Sequence, residues 1–168
     1  NRSQYILFVV VVLLVQVLLL NNLTFSPYIA PLAYIVLIIM TPLGTSSLKM
    51  ILIGTLLGLV MDATMGAVGI NVIATLPVAY FRRPILHFFA AYTDMDGEGG
   101  VPTKLRISRF HNYVVAMVVI HSLIFFGFEH LTTANLDFIA LRTAISTLVS
   151  VAVVYFFIGI FTAKLTQR

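Results

Sequence analysis

The chain contains no cysteine, which excludes a disulfide framework, a thiolate nucleophile and any sulfur-ligated metal. Charge is almost as scarce. Lysine, arginine, aspartate and glutamate make up 10% of the 168 residues, against about 25% in soluble domains. Common catalytic patterns are missing as well. There is no His-Glu-x-x-His, no Gly-x-Ser-x-Gly elbow and no pair of acidic residues inside an apolar run. Arg83-Pro84 has neither the upstream lysine nor the later Ser-Gly-His of a lipid phosphatase. His121 and His130 are nine residues apart, so one helix would put them on opposite sides. No nucleophile, base and oxyanion site assemble, which argues against an enzyme; no metal or cofactor is expected.

What the chain has instead is apolar surface: 60% of it is hydrophobic and its mean hydropathy is +1.06. A globule of this size could not hide so much, so hydrocarbon is the expected solvent and the expected class is an all-α integral membrane protein. The net charge of +4 could suggest nucleic acid. The basic residues are spread over short loops without interleaved aromatics, however, a pattern that suits anionic lipid headgroups better.

Crossing a bilayer takes about 20 apolar residues in helical form. Thr143 to Ala163 and Ala63 to Phe81 are charge-free runs of that length. Tyr5 to Leu20 and Tyr113 to Phe128 are shorter but bordered by uncharged residues. No small-residue cleavage site follows the first run, so it is expected to be a retained helix. Between Leu23 and Met61, prolines 27, 31 and 42 forbid one long helix. The expectation there is a short helix, Tyr28 to Met40, a turn, and a second helix capped by Ser46 or Ser47.

The sum is one six-span domain over 1–168 with a cytoplasmic segment at 82–112 and both termini cytoplasmic. In that arrangement nine of the ten basic residues face inward and Arg142 alone faces out. Segment 82–112 carries Arg82, Arg83, Lys104, Arg106 and Arg109, candidates for lipid or protein contact. Pro84 to Tyr92 is expected as a short amphipathic piece at the membrane surface.

Gly54 and Gly58 form a Gly-x-x-x-Gly, and the step of four continues to Asp62, all within an arc of about 80°. Such a face lets helix backbones approach closely. Asp62 is expected to serve packing or partner contact, at the outer interface or drawn inward by Gly66 and Gly69. Asn71, His121 and Gln16 are the polar residues expected inside spans, each with an interhelical hydrogen bond.

The stretch from Gly54 to Asn71 resembles the signature of the bacterial rod shape-determining MreD family: a Gly-rich helix ending Gly-Leu-x-x-Asp, a short turn, and Gly-x-Asn. Gln16-Val17-Leu18-Leu19-Leu20-Asn21 is similar to that family's first helix, and Pro27-Tyr28-Ile29-Ala30-Pro31 to its entry to the second. The resemblance covers nearly the whole chain. It implies a non-enzymatic scaffold of the cell-elongation and peptidoglycan-synthesis machinery in the bacterial inner membrane. The implied partners are MreC, MreB, and RodA with its transpeptidase. It also implies the six-helix architecture of S-components of energy-coupling-factor transporters, with Gly54, Gly58, Asp62, Gly69 and Asn71 as the functional stripe. The alternative kept open is an S-component-like substrate-binding subunit.

Overall fold

The computed structural model describes residues 2–23, 26–89, 102, 107–131 and 135–166. Among these, all regular structure is helical. Helix α1 runs Arg2–Leu18, α2 Val36–Ile39, α3 Ser47–Met65, α4 Ile70–Phe89, α5 Ile107–Glu129 and α6 Leu136–Thr166; a 3-10 turn, Ala33–Ile35, leads into α2. Among the described residues, four stretches are long and apolar enough to cross a membrane: Gln4–Asn22, Ser47–Met65, Ile107–Glu129 and Leu136–Thr162.

Two expected spans fall differently. The run Ala63 to Phe81 is not one helix, because the chain turns between Met65 and Ile70. Gly66 and Gly69 adopt φ of +65° and +80°, which only glycine takes without strain, and the Gly66 N–H closes α3 on the Asp62 carbonyl. Helix α4 then continues through Arg82, Arg83 and Pro84 to Phe89, so Pro84 does not begin a separate surface piece. Pro77 and Pro84 are seven residues apart and share a face about 120° or more from buried Arg82 and Leu86. That face lines a groove beside Ala116, Ile120 and Ile124 of α5.

The region expected as a helix from Tyr28 to Met40 holds only the 3-10 turn and α2, with residues 29–32 free of regular structure. Pro31 disfavours helical backbone in the residue before it. This short element is the centre of the molecule: every residue from Leu32 to Met40 is buried, with α1, α3, α5 and α6 around it. Helices α3, α4, α5 and α6 pack as successive neighbours, and Phe8 closes α1 on α6 through Phe157 and Phe161. Ser46 caps α3 by accepting from the Lys49 N–H at 3.5 Å. Opposite the packed side of α3, Leu48, Leu52, Leu56 and Leu59 are exposed. A leucine face of that kind belongs against acyl chains.

Candidate functional site

Gly54 and Gly58 lie where α3 meets α4. A Cβ built on Gly58 would stand 2.6 Å from Val72 Cα and 2.9 Å from its nitrogen; one on Gly54 would stand 2.7 Å from Ala79 Cβ. One turn further along the same face, Asp62 is buried and reaches the start of α4. Its Oδ1 accepts from the Asn71 backbone N–H at 2.9 Å and from Asn71 Nδ2 at 3.0 Å, and its Oδ2 from the Val72 N–H at 3.2 Å. A carboxylate from one helix thus caps the next, satisfying N–H groups that no turn of α4 can use and facing the positive end of its dipole. Gly69 takes part through backbone shape alone: nothing lies within 4 Å of a Cβ placed there. The stripe read from sequence is brought together, but inside the chain.

From Asn71 a chain of hydrogen bonds runs inward. Tyr34 Oη donates to Asn71 Oδ1 at 3.0 Å and lies 3.0 Å from Thr75 Oγ1 and 2.9 Å from His121 Nε2, with all four side chains fully buried. Its polarity follows from Asp62. Because the carboxylate accepts from Asn71 Nδ2, the Asn71 oxygen faces Tyr34 and takes the phenol proton. The phenol oxygen is then left to accept, which makes Nε2 the protonated nitrogen of His121 and Thr75 a donor.

The central segment is held by side chains along its whole length. Ser146 Oγ donates to the Tyr28 carbonyl at 2.8 Å and accepts from Ala30 N–H at 3.0 Å, while Ser150 Oγ accepts from Leu32 N–H at 2.9 Å. Two residues of extended chain advance about 6.6 Å and four residues of helix about 6 Å. A serine every fourth residue of α6 therefore keeps step with every second amide of the segment. Gln16 Oε1 accepts from the N–H groups of Ala33 and Tyr34, at 2.8 and 3.2 Å, and its Nε2 donates to the Pro31 carbonyl at 3.1 Å. At the far end Tyr113 Oη donates to the Ile39 carbonyl at 3.3 Å, and Arg82 donates to the carbonyls of Thr41 and Pro42. Irregular backbone buried in a packed interior needs such partners.

Arg82 is a correction to the expected surface set. It is 1% exposed, donates from Nε to Tyr113 Oη at 3.0 Å, and places its charge on the carbonyl end of the central element, where a cation is favoured. Arg83 is exposed and Arg109 half-buried in the first turn of α5. Lys104, Arg106 and the acidic stretch Asp94 to Glu98 lie outside the described residues. Sequence reasoning found Gln16, Asn71 and His121 as buried polar residues but missed Tyr34, Thr75, Ser146 and Ser150. The four-residue spacing of the two serines was the available signal.

In comparisons with known proteins, no family model, no curated protein and no solved structure matches this chain.

Proposed function

We propose that the protein is a non-enzymatic scaffold of the MreD type in the bacterial inner membrane, holding MreC and, with it, MreB and the RodA synthase pair in the cell-elongation machinery. The observation that supports this reading is how the interior polar groups are used. Asp62, Asn71, Tyr34, Gln16 and Arg82 each bond backbone or one another within the chain, so their chemistry goes into holding the shape. The Gly54–Gly58–Asp62 face is used up between α3 and α4, which leaves the outer lipid-facing sides for partners.

In this reading all six helical segments cross the bilayer, as in the S-component architecture, with both termini cytoplasmic. The second crossing is the central segment. Its irregular residues 29–32 and helical residues up to Met40 together reach roughly 25 Å, close to the hydrocarbon thickness of about 30 Å. Helix α4 crosses with Arg82 folded inward onto carbonyls.

A second reading, an S-component-like binding subunit, draws on one observation: a partly polar cleft at the Arg142 end of the bundle. Purification of the chain from native membranes in mild detergent separates the two. Co-purification of MreC supports the scaffold. An ATPase module in its place, with MreC absent, refutes the scaffold and favours transport.

A further inference from the structure

At the end of the bundle that carries Arg142, a cleft of 430 Å³ opens between residues 20–23 and 26–32 on one side and the ends of α3, α5 and α6 on the other. Leu32, Met65 and Phe125 form part of an apolar wall; Asn21, Glu129 and Arg142 supply the polar one. The guanidinium of Arg142 is fixed in place. It donates to the Pro27 carbonyl, lies 3.3 Å from Glu129 Oε1 and sits 5.6 Å from the centre of the Phe126 ring. Glu129 Oε2 in turn faces His130 Nε2 at 3.2 Å.

Of three buried side-chain atoms lining the cleft that have no hydrogen-bond partner among the described residues, Glu129 Oε2 faces His130; the other two are Arg142 Nε and Asn21 Nδ2. Both are donors. The Asn21 amide has its orientation set, because its oxygen accepts from Gln16 Nε2 at 2.8 Å, so its NH2 group is the side left over. Buried donors of this kind require an acceptor, and a fixed guanidinium beside a second N–H suits the oxygens of an oxyanion. The apolar wall adds a demand that a free anion does not meet. Helices α5 and α6 are both long and apolar enough to cross a membrane, and the cleft lies at their ends, the level of lipid headgroups.

We propose that this cleft binds the phosphodiester headgroup of a phospholipid, with Arg142 and Asn21 donating to phosphate oxygens and the apolar wall covering the start of an acyl chain. The inference does not depend on the scaffold reading.

The test uses the full chain in mild detergent, with phosphatidylglycerol as the probe and bound lipid counted by native mass spectrometry. Asn21→Asp keeps the oxygen that Gln16 bonds and replaces the free donor with an acceptor. Arg142→Lys keeps the charge and removes Nε. Each is expected to weaken lipid binding about tenfold, the scale of one charge-assisted hydrogen bond, while Ser108→Ala, at an exposed position on the opposite end of the bundle, leaves it unchanged. Full-strength binding by either cleft variant overturns the proposal, as does equal weakening by Ser108→Ala. Saturation of the site by inorganic phosphate at the same concentration as the lipid would also overturn it, assigning the cleft to a soluble oxyanion.

Discussion

At the scale of single residues, one carboxylate sets the direction of a network that reaches the middle of the molecule. Asp62 holds three N–H groups at the start of α4. Asp62→Asn keeps an oxygen for the two Asn71 donors and loses the acceptor facing Val72, so it is expected to cost about 1 kcal/mol; Asp62→Leu strands all three donors and should cost about 3 kcal/mol. Thermal unfolding of the two purified variants in detergent checks the order, and equal losses would show that charge alone matters. The same network makes a spectroscopic prediction. The His121 ring is expected as the Nε2–H tautomer in 15N NMR, and Asp62→Leu, by freeing the Asn71 amide, should let the other tautomer appear. The sequence revealed that Asp62 continues a glycine face, and that Asn71 and His121 sit in apolar surroundings. It could not show that a tyrosine would join them, because Tyr34 lies in a segment whose path depends on every other element.

At the scale of elements, glycines of the same type do opposite things. Gly58→Ala places a methyl group against the backbone of Val72, 2.6 Å from its Cα, and neither helix can yield by rotating a side chain. A loss of about 2–3 kcal/mol is expected, typical of overpacking. Gly127 in α5 has nothing within 4 Å of a Cβ, so Gly127→Ala should be neutral or gain up to about 1 kcal/mol through better helix propensity. Melting of both variants in detergent is the measurement; a stable Gly58→Ala protein would mean that α3 and α4 stand further apart. The central element shows where pattern reading stopped. Its prolines announced an interruption in the second span. What fills the gap is set by Gln16, Ser146, Ser150, Tyr113 and Arg82, up to 118 residues away in the chain, and no local pattern contains that information. The turn at Gly66 to Gly69 was hidden for a related reason: a charge-free run looks continuous to hydropathy, and only the positive φ of two glycines ends it.

For the whole molecule, the question is which end of the bundle faces the cytoplasm. Arg82, Arg83 and Lys49 stand at one end and Arg142 at the other, and by the positive-inside rule the Arg82 end is expected to face the inside. Burial of Arg82 does not weaken that assignment, because a guanidinium bonded to the carbonyls of Thr41 and Pro42 still has to be carried through the bilayer if the chain inserts the other way. Absence of cysteine makes the test clean, since a single introduced thiol has no background. Val68 in the turn between α3 and α4 is 94% exposed, and Ser108 at the start of α5 is exposed at the opposite end. In intact cells an impermeant maleimide is expected to label Val68→Cys and to leave Ser108→Cys unmodified until the membrane is permeabilised. If α4, the helix between these points, failed to cross, the two positions would report the same side. Labelling of both from outside would therefore refute the six-crossing arrangement, whereas labelling of Ser108→Cys alone would keep the bundle and invert it.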